Sequence, residues 1–259
     1  MVDWDGAGYE QVSELQRTMA RRALAELTVR GDERCLDVGC GDGYVSRLVA
    51  AQLPEGSVLG VDPSPRMIEV ARAAPLPPST DVRFAAGDVL DLPFRAEFDL
   101  VCSFNALHWV RDQATALVNL RRAVRDDGRL LLRFVCAGGR PSLDDVAMQV
   151  CGREPWRARL GEISAPFAHP DPTEYRVLAE RVGLTVRRAD VSDESWDFAD
   201  DDAFARWCTV GFADWTARLA PSAVQDWVAD VVRAYRAVVP EPGRFRFFQL
   251  TVEAVPVPS

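Results

Sequence analysis

Apolar positions along this chain alternate between two periodicities. Short apolar runs at 34–38, 57–61, 82–85, 98–103 and 129–135 are bounded by glycine, proline or charged residues and read as buried strands. Between them, apolar residues recur at helical spacing over 44–52, 64–73 and 112–125. An earlier stripe, Val12, Leu15, Met19, Ala23, Leu24 and Leu27, predicts a helix over 9–27 that ends at Gly31 and Asp32. Strands alternating with helices predict an α/β fold, with a mostly parallel sheet covered on both faces and ligands at the carboxyl ends of its strands.

Beyond Val135 the pattern loosens. Residues 137–142 read as a loop, 143–151 as a helix, 155–172 as a mixed segment, 172–182 as a helix and 184–191 as a sixth strand. Two amphipathic helices over 203–219 and 221–239 precede a seventh, antiparallel strand at 245–255. The predicted fold is a Rossmann-like, mostly parallel seven-stranded sheet with helices on both faces and an α-helical lid insertion before the last strand. The expected division is a cap helix over 1–30, a ligand-binding core over 31–136, and a C-terminal part over 137–259 with the lid at about 192–240. Trp196, Trp207, Trp215 and Trp227 fall in that insertion. Aromatic residues at helical spacing either pack a core or line an apolar acyl pocket, and Trp207 and Phe212 are the candidates for the second role. Asp126-Asp127-Gly128 reads as a turn into the fifth strand, and 197–202 as a solvated loop and helix start.

The candidate chemistry sits at the first strand end. Leu36-Asp37-Val38-Gly39-Cys40-Gly41-Asp42-Gly43 places an acid and three glycines behind an apolar run, and Asp62 follows the second run. Glycines there allow positive φ and close approach of backbone N–H groups to a ligand. A carboxylate at the neighbouring strand end can accept both hydroxyls of a ribose. A dinucleotide fingerprint would need glycine where Tyr44 stands, and a phosphate-binding loop would need Gly-Lys-Ser/Thr, which is absent. Asp37 would repel a pyrophosphate but suits an ammonium. The ligand is therefore expected to be an adenosine carrying a cation, and S-adenosylmethionine fits.

The same segment resembles motif I of the class I S-adenosylmethionine-dependent methyltransferases, and further motifs follow in order over about 30–136. Asp62-Pro63-Ser64-Pro65-Arg66-Met67 resembles the ribose-binding segment, and Ala86-Gly87-Asp88-Val89 the loop whose acid touches the adenine amino group. Residues 98–109, ending Phe104-Asn105-Ala106-Leu107-His108-Trp109, resemble the fourth strand and the active-site loop. The resemblance implies a cofactor set of Asp37, Gly39, Cys40, Gly41, Asp62, Pro63, Met67, Asp88, Val89 and Asn105, with S-adenosylhomocysteine as product. Tyr9 to Gln16, taken with Leu107-His108-Trp109, is similar to the juvenile hormone acid methyltransferases and, more distantly, to trans-aconitate methyltransferase. That likeness implies carboxyl O-methylation, with Gln16 and Trp109 holding the substrate carboxylate. The C-terminal half matches no pattern that would carry a substrate over.

Net charge is −9, which disfavours nucleic acid as a partner, and no apolar run approaches the roughly 20 residues needed to cross a bilayer. A cytoplasmic protein with a small-molecule substrate, monomeric or homodimeric, is expected. Six cysteines form no C-x-x-C pair and the two histidines have no metal-ligand spacing, so neither a disulfide nor a metal site is expected. His108 adjoins the active-site loop as an orienting residue or a base, and His169 belongs to a loop over the site or to the surface. The candidate catalytic residues are Gln16, His108 and Trp109, and the substrate-binding candidates are Tyr9, Gln16, His108, Trp109, His169, Trp207 and Phe212. A carboxylate is already ionised at neutral pH and needs no base, whereas a phenol or ammonium acceptor must lose a proton. Two alternatives stay open: a natural-product methyltransferase acting on a phenol, amine or carbon nucleophile, and a cofactor-binding protein that runs another reaction, such as a pericyclic step, or none.

Overall fold

The computed structural model describes residues 14–25, 27–76, 78 and 80–257. Helix α1 (Glu14–Ala25) leads into strand β1 (Arg34–Val38), followed by α2 (Tyr44–Ala50), β2 (Ser57–Asp62), α3 (Pro65–Ala73), β3 (Asp81–Ala86), β4 (Phe98–Phe104), α4 (Gln113–Ala123) and β5 (Val124–Val135). The C-terminal part runs α5 (Leu143–Cys151), α6 (Trp156–Leu160), α7 (Pro172–Arg181), β6 (Leu184–Asp197), α8 (Asp201–Gly211), α9 (Ala213–Thr216), α10 (Pro221–Tyr235) and β7 (Arg244–Pro256). The predicted start of α1 at residue 9 lies outside the described residues.

The seven strands form one sheet in the order β3-β2-β1-β4-β5-β7-β6. Pairings from β3 through β5 are parallel, and β7 runs antiparallel to both β5 and β6. The chain winds outward from β1 in one direction and resumes beside it at β4, so the crevice between the carboxyl ends of β1 and β4 is the switch point where a ligand fits. Alternation along each strand sorts its side chains. In β4, Leu100, Cys102 and Phe104 join Val49, Leu53, Ile68 and Ala71 on one face, while Val101 joins Leu117, Leu120, Tyr175 and Ala179 on the other. Helix starts are capped locally: Ser64, Asp112, Asp171 and Asp200 accept from backbone N–H groups, and Ser142 with Asp145 forms a reciprocal box.

Three elements differ from the sequence expectation. β5 begins at Val124, and the Asp126–Gly128 segment lies inside it as a bulge, because pairing with β4 jumps from Phe98↔Val124 to Leu100↔Arg129. β6 continues six residues past Val191, because its pairing with β7 extends to Asp197↔Arg244. The stretch 203–219 contains two helices, since Phe212 closes α8 and opens α9.

The long β6–β7 ribbon places the insertion. β7 pairs with β5 only as far as Val135↔Gln249, whereas its pairing with β6 runs on to Arg244. β6 runs parallel to β5, so the ribbon projects past the carboxyl ends of the parallel strands and carries α8, α9 and α10 to the ligand side. There Phe204, Phe212, Trp215, Trp227 and Tyr235 pack with Leu15 and Met19 of α1 and Val146 and Val150 of α5 into a third core. Among the described residues no helix is long and apolar enough to cross a membrane.

Candidate active site

At the carboxyl end of β1 the chain turns through Gly39, Gly41 and Gly43, at φ +75°, +54° and +73°. A Cβ on Gly39 would lie 2.2 Å from the Ala106 Cβ, so glycine is required where this turn meets the loop after β4. The turn is pinned from β2. Gly39 N and Cys40 N both donate to Val61 O, at 2.8 and 3.0 Å. Gly41 N donates to Asp62 Oδ2 and Ser64 N to Asp62 Oδ1, each at 2.9 Å. Asp62 thus clamps the glycine turn to the start of α3 while leaving further lone pairs for a ligand.

Asp37, one residue inside β1, is 1% exposed. Ser46 Oγ donates to its Oδ2 at 2.6 Å, and Cys102 Sγ lies 3.8 Å from Oδ1. Burial, reinforced by the charge of Asp62, pushes its carboxyl up to about 6, so an incoming cation would be drawn to it and hold it ionised. Burial also raises Asp62. Cys40 is buried and its thiol pushed far up, first by burial and then by Asp37, which makes it a packing residue. At the end of β3, Asp88 is exposed and accepts from Leu90 N, and Val89 is buried with its carbonyl held by Asn119 Nδ2.

One cavity of about 740 Å3 joins these groups. Asp37, Gly39, Cys40, Gly41, Asp62, Pro63, Met67, Asp88, Val89 and Asn105 line it on the sheet side, and His108, Trp109, Trp207 and Phe212 line the rest. His169 does not line it: it sits behind the wall, stacked on Phe167 with ring centroids 4.5 Å apart and 6.3 Å from the His108 ring. Tyr9 lies outside the described residues, as does the side chain of Gln16, whose backbone belongs to α1. Among the described residues no cluster could hold a metal ion.

Sequence reasoning missed much of the wall away from the sheet. Asp144 in the first turn of α5, the loop 162–166, Arg17, Arg218, Phe245 and Phe247 also line the cavity. That loop is fastened to the active-site loop by Ala168 N donating to His108 O at 2.7 Å. Asp144 falls in the helix that the sequence predicts over 143–151, but nothing in the sequence marked it as facing a cavity. Burial pushes Asp144 up to about 7, and its Oδ2 lies 3.7 Å from His169 Nε2. Burial, then the neighbouring His169, holds His108 down to about 3, and burial holds His169 at about 4. Both imidazoles are therefore neutral at physiological pH.

Residues 36–132 match the family described as a methyltransferase domain. The chain is 32% identical over 187 residues to trans-aconitate 2-methyltransferase of Methylobacterium nodulans, covering 72% of this chain and 70% of that protein. It belongs to the class I S-adenosylmethionine-dependent methyltransferases. Within that family it is also 31% identical to juvenile hormone acid O-methyltransferase of Bombyx mori, over 68% of this chain and 67% of the relative. A phosphoethanolamine N-methyltransferase of Haemonchus contortus, solved with S-adenosyl-L-methionine, shares the fold. Its TM-score is 0.60 at 16% identity, over 96% of this chain and 56% of that one. S-adenosylmethionine is the cofactor, and the residues present fit it. A buried acid suits its ammonium, a second strand-end acid its ribose, and the cavity extends from both toward the acceptor side.

Proposed function

We propose that this methyltransferase acts on a carboxylate oxygen of a small, largely apolar acid. The observation that carries the reading is the state of His108: held down to about 3, the one imidazole in the cavity wall is too weak a base to take a proton from a phenol or an ammonium. A carboxylate arrives ionised and needs no such base. The names of two relatives, trans-aconitate 2-methyltransferase and juvenile hormone acid O-methyltransferase, support an acid acceptor.

When bound, S-adenosylmethionine supplies a methyl group on a sulfonium sulfur, a leaving group that needs no proton. The chain's own residues align and exclude water. Asp37 would hold the ammonium, Asp62 the ribose, and Asp88 with Val89 the adenine. Gly39, Cys40 and Gly41 would bring backbone alongside it, and Pro63, Met67 and Asn105 would complete that wall. As the resemblance implies, Trp109 and Gln16 would orient the acceptor oxygen as neutral donors, which do not blunt its nucleophilicity as a full cation would. Trp207 and Phe212 enclose its apolar part, with the insertion closing over it as a lid.

A second reading follows from Asp144. Pushed up to about 7, it is a cavity-wall group able to take a proton near neutrality, which would suit a phenol or amine acceptor. Incubation of the protein with labelled S-adenosylmethionine and trans-aconitate, dodecanoate, simple phenols and amines separates the two. Label released as a base-labile ester from an acid establishes the first reading. Base-stable label on phenols or amines alone establishes the second.

A further inference from the structure

Asn105 follows β4 directly and adopts φ +54°, so its backbone is held in a conformation that non-glycine residues rarely adopt. Its N–H donates to Arg133 O at 2.7 Å, and its side chain is met by Gln249, which is 0% exposed. Arg133 Nε donates to Gln249 Oε1 at 2.6 Å. Gln249 Nε2 in turn donates to Asn105 Oδ1 at 2.6 Å. Arg133 itself is 8% exposed and anchored at its far end, where Nη2 donates to Glu194 Oε1 at 3.0 Å.

The direction of this chain is forced. A guanidinium only donates, so the Gln249 oxygen must face Arg133 and its NH2 must face Asn105. An amide NH2 cannot accept, so the Asn105 oxygen must face Gln249, which turns the Asn105 Nδ2 the other way. No acceptor among the described residues meets that Nδ2, and Asn105 lines the cavity. The donor stands beside Ala106, which packs on Gly39 at the end of β1, the strand that carries Asp37.

We propose that Gln249 is a positioning residue, fixing the Asn105 amide so that its N–H2 faces the cavity as a donor to a carboxylate. Asp37 and Asn105 then offer an acceptor and a donor at adjacent strand ends, the pair an α-amino acid group needs. The carboxylate belongs either to the methionine part of the cofactor or to the acceptor acid. The inference rests on the methyltransferase assignment, and its second arm also on an acid acceptor.

Gln249→Glu tests it. Glutamate still accepts from Arg133 but offers Asn105 a second acceptor, so the amide rotates and presents its oxygen to the cavity. Calorimetry with S-adenosylhomocysteine, which carries the carboxylate, is compared with 5′-methylthioadenosine, which lacks the amino-acid part. A loss of tenfold or more for the first, with the second unchanged within twofold, assigns the donor to the cofactor. Unchanged S-adenosylhomocysteine binding with tenfold weaker dodecanoate binding to that complex assigns it to the acceptor. A folded variant that loses neither, or that loses S-adenosylhomocysteine and 5′-methylthioadenosine equally, overturns the proposal. Should Gln249→Glu fail to fold, Asn105→Asp removes the donor with Gln249 and Arg133 in place, and the same four outcomes decide. All readouts are affinities, so the S-adenosylhomocysteine and 5′-methylthioadenosine arm stands whether the protein methylates acids or phenols.

Discussion

On the sheet side of the cavity the ligand-facing groups come from turns directly behind β1, β2 and β4, and much of what they present is backbone. On the acceptor side they come from α1, α5, the loop 162–166, α8 and β7, segments far apart in the chain, and what they present is side chain, much of it aromatic. The first side is fixed by local geometry: positive-φ glycines and one carboxylate that ties two turns together. The second is fixed by tertiary packing, since Trp207 and Phe212 reach the cavity because the β6–β7 ribbon projects beyond the sheet. A fold that keeps its cofactor side rigid and local can change its acceptor side by repacking alone.

The sharpest way to break this comparison is to strain the local side. Gly39→Val would force a Cβ into the Ala106 Cβ at a positive φ, and we expect about 2–4 kcal/mol of lost stability with cofactor binding abolished. Gly41→Val meets only Met67 Cε, at 3.5 Å, so it should cost about 1–2 kcal/mol of stability, chiefly from its φ, and still lose the cofactor. Urea unfolding and calorimetry with S-adenosylhomocysteine check both. Native affinity in either variant would mean that the turn does not approach the ligand.

Next in size is Asp62→Ala. It removes the proposed ribose acceptor and leaves Gly41 N and Ser64 N without their carboxylate. A hydrogen bond to a charged group contributes about 1.5–3 kcal/mol, so S-adenosylhomocysteine should bind roughly 10- to 150-fold more weakly. A loss below threefold would remove Asp62 from the site.

The same contrast explains what the sequence disclosed. Strand ends, glycines and strand-end acids are local signals, so β1 to β4, the glycine turn, Asp37 and Asp62 were legible from spacing, whereas the rest of the expected cofactor set came from the family resemblance. The clamp made by Asp62 was invisible, because a carboxylate at a strand end does not announce which backbone donors it takes. Neither Asp144 nor Gln249 carried any signal: each reaches its role through pairing in three dimensions, Gln249 by sitting opposite Val135 across β5 and β7. The bulge at 125–128 was misread because Asp-Asp-Gly is the composition of a turn, and only pairing with β4 shows that the strand continues through it.

On the acceptor side, Trp207→Leu shortens an aromatic side chain whose other face packs on Phe198 and Phe245, with centroids 5.4 and 5.2 Å away. Losing on the order of 50–60 Å2 of apolar contact with a long-chain acid corresponds to about 1.4 kcal/mol, or roughly tenfold in KM. S-adenosylhomocysteine affinity should stay within about twofold. Equal losses for both ligands would show the two sides to be one packed unit.

The smallest effect on turnover is expected at His108, and its pH dependence carries the information. Its folded value of about 3 lies below the ordinary 6.5, so protonation favours the unfolded chain. The associated stability is fully present above about pH 6.5 and is lost as pH falls toward 3. His108→Phe should therefore lose less stability between pH 7 and pH 5 than the parent, by about 2 kcal/mol, while turnover changes less than about threefold. The limb that remains in kcat/KM belongs to Asp144, at about 7. Protonated, Asp144 offers an O–H to a bound carboxylate; ionised, it repels one. For an acid acceptor kcat/KM should therefore fall as pH rises through 7, and for a phenol or amine, where Asp144 must take the proton, it should rise. The sign of that single limb, measured in His108→Phe with whichever acceptor turns over, decides whether the acceptor side of the cavity receives a proton or only holds an anion.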